Sequence, residues 1–403
     1  MPAAATAAPP PAAPQRAADL VRSREYWLDD YGIRAAWATT QGAGVTIAII
    51  DTGIDSSVRD LSGAVVGGAD FSGEGASNGQ HPVGSDGAEH ATMVASLAAG
   101  RGTGSEAGVI GSAPQASLLS LSIGFGAGDD DSDEQIAEAV RWAVDNGADV
   151  INMSLTRNTL EWPESWDDAF LYAMENDVVV VAAAGNRGSG TVEVGAPATM
   201  PGVLTVSGVD ENGQASWDAS SQGITIGVAA PSEKLVGVIP GGQYVTWSGT
   251  SGATPIVAGI VALVRAAHPE LDAANVINRV ISSARDAGPA GADFTYGFGL
   301  VDAAAAVNAE IPAVTENPMG DLAEWIRLNR RAEATPGPSA TPHEVADPEA
   351  IAGPENPIGT LLPSVTSLQL VGIPTLVVGL LATVLVGLAA GALRAYGSSR
   401  RAR

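Results

Sequence analysis

Three segments of this chain carry side chains that could act on one another chemically. Ser251 stands in G-T-S-G-A-T-P-I-V-A-G, residues 249–259, between glycine-rich flanks at what reads as a helix start. Serine is a weak nucleophile at its ordinary pKa, so it needs a base to take its proton and donors to hold the oxyanion that forms. His90 opens the small, apolar helical stretch H-A-T-M-V-A-S-L-A-A-G and can be that base, later returning the proton to the leaving amine. Asp51 ends the β-favouring run V-T-I-A-I-I-D, which puts a carboxylate at the C-terminal edge of a buried strand. There it can accept from the second imidazole nitrogen and fix the tautomer. Each residue has a plainer reading on its own: an Asp after a strand makes turns, and a His beside Thr is a surface or cap residue. Together, at matching strand ends and helix starts, they favour catalysis.

The order Asp, His, Ser with these three motifs resembles the subtilisin family, the subtilases, over roughly residues 25–305. The resemblance implies a serine endopeptidase acting on an extended peptide or protein. It also implies that Asn186, closing V-V-V-V-A-A-A-G-N, donates its amide to the oxyanion beside the Ser251 backbone N–H. The segment A-D-V-I-N-M-S-L-T resembles the family's substrate-pairing edge. By that likeness Ser154, Leu155 and Thr156 border the primary specificity pocket with Ala183, Ala184 and Gly185. Thr156 stands where relatives often have glycine; either it narrows the pocket toward small side chains or it points outward. Other departures are Ala91 for a glycine, Met93 for a second histidine, and Gly252 and Ile256 for a methionine and a histidine.

The acidic run Asp129–Asp131, Asp133 and Glu134 has two readings. It could attract basic substrate residues at the groove's rim. Alternatively, Ser132 and Gln135 are spaced as a capping box, with acids placed in a first helical turn. No H-E-x-x-H motif or cysteine occurs, so no metal residues are assigned. No cofactor is required; structural calcium is compatible with the family but has no residues assigned here. The formal net charge of −25 argues against nucleic-acid binding, which needs a cationic surface.

Positioning these residues takes a large α/β core, and 403 residues with 45% hydrophobic content can build one. Strand-like runs at 45–50, 117–123, 148–154, 178–184 and 203–208 alternate with helical stretches near 90–100, 133–146 and 164–176. The fold expected is α/β, a subtilisin-like three-layer arrangement with a mainly parallel sheet between helices, plus one C-terminal transmembrane helix.

Residues 24–308 are assigned to the peptidase domain. Residues 1–23 read as a disordered extension whose Ala-rich start resembles the end of a signal sequence. Residues 309–367 read as a Pro-rich linker with a short helix around Leu322–Ala332. From 368 to 393 the chain is apolar and long enough to span a bilayer, and a basic tail follows at 394–403 with Arg394, Arg400, Arg401 and Arg403. The positive-inside rule puts that tail in the cytoplasm and the catalytic domain outside the cell membrane. The whole layout resembles the mycosins, membrane-anchored subtilases of actinobacterial type VII secretion systems. That resemblance implies the secretion machinery as a partner. It leaves open a mainly structural role in a secretion complex, or a stand-alone surface protease.

Overall fold

The computed structural model describes residues 19–330 apart from 86 and 125–128, and only the backbone of 129–131. The expectations for 1–18, for the rest of the linker from 331, for the membrane span at 368–393 and for the basic tail fall outside the described residues.

Apolar runs make strands covered on both faces, which have no polar side to show to water. Seven strands form one parallel sheet, the inner ones of this buried kind: β1 Thr46–Asp51, β2 Val65–Asp70, β3 Ser117–Ser122, β4 Val150–Met153, β5 Val179–Ala183, β6 Leu204–Val209 and β7 Ile226–Pro231. Their spatial order is β2-β3-β1-β4-β5-β6-β7. Strands β8 Leu235–Val238 and β9 Tyr244–Trp247 pair as an antiparallel hairpin. The helices are α1 Trp27–Asp30, α2 Ile33–Ala36, α3 His90–Ala99, α4 Asp129–Asp145, α5 Glu164–Glu175, α6 Thr250–Ala267, α7 Ala273–Ser282, α8 Ala303–Asn308 and α9 Leu322–Asn329.

Side chains alternate across β1 and so divide the core in two. Ile47 and Ile49 join the cluster beneath α3, α6 and α7, whereas Ala48 and Ile50 join the one beneath α4 and α5. The result is the expected helix–sheet–helix sandwich. Helices α3 and α6 approach closely because small residues meet: a Cβ on Gly259 would lie 2.5 Å from Ser112 Cβ and 2.9 Å from Ala98 O. From β1 the chain builds β2 and β3 on one side and β4 to β7 on the other. Strand β1 is therefore a topological switch point, and the carboxyl end of such a strand is where open α/β sheets bind ligands. Asp51 stands there.

The edge strands β2 and β7 were not among the expected strands. Glycine interrupts both, as V-V-G-G-A-D and I-G-V-A-A-P. Gly68 is needed because a Cβ there would lie 2.1 Å from Ser120 O on β3. The capping box is also not formed. Helix α4 already includes Asp129, so Ser132 lies inside it, and Gln135 Oε1 accepts instead from Gly124 N at 2.7 Å.

Residues 309–330, the first part of the segment read as a linker, lie against the fold. Asp321 caps α9 by accepting from Glu324 N at 3.0 Å. Trp325 meets Trp162 with ring centroids 4.3 Å apart, and Arg330 donates to Asp167 at 2.8 Å. Among the described residues α6 is long and apolar enough to cross a membrane, yet it is the buried central helix of the sandwich.

Candidate active site

Asp51 reaches the carboxyl edge of the sheet fully buried, and three donors hold its side chain. Thr52 N–H and Thr52 Oγ1 donate to Oδ1 at 2.7 and 3.2 Å, and His90 Nδ1 lies 2.9 Å from both carboxylate oxygens. Thr52 Oγ1 in turn accepts from Ala91 N at 3.2 Å, which ties the strand end to the first turn of α3. The methyl of Ala91, in place of the usual glycine, is fully buried.

His90 keeps 26% of its side chain exposed beside this buried acid. Burial by itself would lower the imidazole pKa, but the charge and hydrogen bond of Asp51 outweigh it, and the net shift is upward from the ordinary 6.5. A general base must be neutral, and a raised pKa keeps it protonated to higher pH. The acid limb of kcat/KM is therefore expected to have its midpoint above about 6.5. A pH–rate profile checks this; a midpoint below the ordinary histidine value would contradict the pairing.

Ser251 lies in the first turn of α6, where helix N–H groups lack intrahelical acceptors, so its own N–H is available to a ligand. Its carbonyl is also unusual. Pro255, four residues on, has no N–H to bond it, and Ser154 Oγ donates to Ser251 O at 2.9 Å instead. Reciprocally, Ser251 Oγ donates to Ser154 O at 3.1 Å. Among the described residues no hydrogen bond joins Ser251 Oγ to His90 Nε2 in this arrangement.

The amide of Asn186 has a defined orientation. Its Oδ1 accepts from Thr250 N at 2.8 Å and from Thr250 Oγ1 at 2.9 Å. A backbone N–H can only donate, so the atom it meets must be the oxygen, and Nδ2 is left to donate elsewhere. Gly249 preserves that room: its φ is +149°, and a Cβ there would lie 3.2 Å from Asn186 Nδ2. For Asn186→Ala, kcat is expected to fall about 10²–10³-fold with little change in KM, the loss measured for the equivalent donor in subtilisin and carried over by likeness. Steady-state kinetics decide; a change confined to KM would remove Asn186 from the oxyanion role.

The six expected pocket residues divide. Ser154 meets Ser251 directly, and Gly185 N donates to Thr250 Oγ1 at 3.2 Å. Leu155 and Ala184, by contrast, belong to the hydrophobic core, and Ala183 is buried at the end of β5. Any part these three play in a pocket is through their backbone. Thr156 is half-buried: its Oγ1 donates to Arg157 O at 3.1 Å, and a Cβ on Gly195 would lie 2.5 Å from Thr156 Oγ1. Asp133, from the acidic run, is buried in an ion pair with Arg157, so it is not free for a basic substrate residue.

Trp247 and Leu235 went unnoticed in the sequence. A Cβ on Gly252 would lie 2.3 Å from Leu235 Cδ1 and 3.2 Å from the Trp247 ring, so the hairpin fills the volume that a longer residue 252 would take. Trp247 also stands edge-on to His90, with ring centroids 5.9 Å apart. The only available sign was an aromatic residue four positions before the serine.

Among the described residues no group of three His, Asp or Glu side chains could hold an ion. The carbonyls of Ala107 and Gly108 are oxygen donors of the kind calcium takes, but they accept from buried Arg22 at 3.0 and 3.1 Å. His268 Nε2 lies 2.7 Å from Val307 O at the far end of α6, and His81 is exposed in a loop.

A model of the Subtilase family matches residues 42–299. Subtilisin DY from Bacillus licheniformis is 38% identical over 272 residues, which cover 66% of this chain and 92% of the relative. Among solved structures, MycP1 from Mycobacterium smegmatis superposes with a TM-score of 0.61 at 32% identity, covering 74% of this chain and 88% of that one. The MycP3 protease from the type VII (ESX-3) secretion system gives 0.59 at 31% identity, covering 71% and 88%.

Proposed function

Because this chain belongs to the subtilase family of serine endopeptidases, we propose that it cleaves exported proteins at extended segments outside the cell membrane, anchored by residues 368–393. Ser251 Oγ attacks the scissile carbonyl. It does so after leaving Ser154 O for His90 Nε2, which takes its proton and then delivers it to the leaving amine. Asp51 keeps the imidazole in the tautomer with hydrogen on Nδ1 and stabilises the imidazolium. Asn186 Nδ2 and the Ser251 N–H hold the oxyanion.

One observation carries this reading: the buried Asp51 carboxylate lies 2.9 Å from His90 Nδ1 at the sheet's switch point. An isolated buried carboxylate is expensive, and spending it on a partly exposed imidazole has a chemical use that packing does not explain. The link to a type VII secretion system is supported by likeness to MycP1 and MycP3, whose structures are described as parts of such systems.

The test uses the full chain in membranes. A fluorophosphonate probe is expected to label Ser251 and no other residue, in the membrane fraction and from the outer face. Absence of labelling where a control subtilase reacts would defeat the catalytic reading. Complementing a deletion strain with Ser251→Ala separates the roles further, since restored secretion without cleaved products would show that scaffolding suffices.

A further inference from the structure

Helix α3, which begins at His90, depends at its other end on a loop. Gly100 N donates to Ser96 O at 3.0 Å, and beyond the loop 101–110 the returning chain gives Ser112 N to Leu97 O and Ala113 N to Ala98 O, both at 2.9 Å. The last carbonyls of the helix are thus satisfied only while the loop keeps its shape. Its sequence, R-G-T-G-S-E-A-G-V-I, brings little apolar surface to hold that shape.

Three of its carbonyls turn instead onto one side chain from the N-terminal segment. Arg22 Nε donates to Gly108 O at 3.1 Å, Nη2 to Ala107 O at 3.0 Å and Nη1 to Ser105 O at 3.5 Å. Arg22 is 4% exposed, and its Nε also lies 2.8 Å from Oε2 of the buried Glu25, whose Oε1 accepts from Ile110 N at 2.9 Å. Asp19 fastens the same segment, accepting from Arg22 N at 2.7 Å and from Gly108 N at 3.1 Å. Gly102 makes room for the guanidinium: its φ is +69°, and a Cβ there would lie 2.6 Å from Arg22 Nη2.

Backbone carbonyls converging with a buried carboxylate are the donor set of a calcium site, and the forked donors of a guanidinium can satisfy the same oxygens. Packing alone does not ask for this, since an apolar side chain of like length would leave three carbonyls and a carboxylate facing no partner away from water. We infer that Arg22 is the resident structural cation of loop 101–110, standing in a cage that takes calcium only when the guanidinium is gone. Calcium, though compatible with the family, does not fit there while Arg22 is in place, because both cations need the same oxygens. The helix that carries His90 is therefore braced without a metal. This inference is independent of the peptidase reading, and its test reads folding, not catalysis.

The experiment follows thermal unfolding of the full-length protein in excess EGTA, in calcium chloride and in magnesium chloride. Arg22→Ala opens the cage and should unfold about 10 °C below wild type in EGTA, the scale expected when a buried charge loses its partner. Calcium should restore most of that loss, and magnesium should not, because it is smaller and gives up its water reluctantly. Arg22→Met removes the charge but fills the space, so it should be as unstable as Arg22→Ala in EGTA and gain little from calcium. Wild type should gain no more from calcium than Arg22→Met does. If Arg22→Ala folds only with calcium present, its refolding yield in calcium against EGTA gives the same readout. The assignment is overturned by an Arg22→Ala protein that matches wild type in EGTA, by one that calcium does not restore, or by a wild-type gain in calcium equal to that of Arg22→Ala.

Discussion

Ser251→Ala is expected to lower kcat about 10⁶-fold, the factor measured for the equivalent serine of subtilisin and carried over by likeness. The size follows from the loss of the only group able to form the acyl intermediate; what remains is background catalysis by the oxyanion donors and binding. Stability should barely change. Ser251 Oγ makes one hydrogen bond, to Ser154 O, worth about 1 kcal/mol. The bond that anchors the helix start runs the other way, from Ser154 Oγ to Ser251 O, and survives the substitution. Peptide hydrolysis and thermal unfolding on the same preparation check both halves. Activity above a hundredth of wild type, or a collapse in unfolding temperature, would show that Ser251 has another role.

Asp51→Asn is expected to cost about 10⁴ in kcat, the scale known for this exchange in serine proteases. The local hydrogen bonds explain why so small a change should matter. Thr52 N–H donates to Oδ1 at 2.7 Å, so an asparagine must place its oxygen there and its NH₂ toward His90. His90 Nδ1 would then have to accept, which moves the ring proton to Nε2, the atom that must be bare to take the serine's proton. The same change removes the charge that raises the imidazole pKa, so the acid limb should move to lower pH. Kinetics across pH give both readouts, and nitrogen NMR of the imidazole reports the tautomer. A drop below tenfold, or an Nδ1 that still carries its hydrogen, would refute this account.

The elements nearest the site were the most legible. Strands β1, β3, β4, β5 and β6 are mostly apolar and β-favouring, and such runs in an alternating α/β pattern leave little choice but a buried parallel sheet. The edge strands escaped notice because glycine breaks their pattern, and Gly68 is there for contact with β3, a tertiary demand. The capping box failed for a related reason. Ser132 and Gln135 have the right spacing, but α4 starts earlier, and Gln135 bonds Gly124 N across the fold.

By itself the sequence determined which side chains could react and at which ends of which elements they stand, because the apolar runs that end at Asp51 and Asn186 set strand ends locally. Their chemical poise was decided by tertiary structure. Thr250 orients the Asn186 amide, Ser154 takes the carbonyl that Pro255 leaves unbonded, and Trp247 and Leu235 fill the space at Gly252. Arg157 draws Asp133 out of the acidic run. Most of these contacts join residues far apart in the chain. Periodicity reports which face of an element is buried, but hydrogen-bond direction and charge pairing depend on what another element brings to that face.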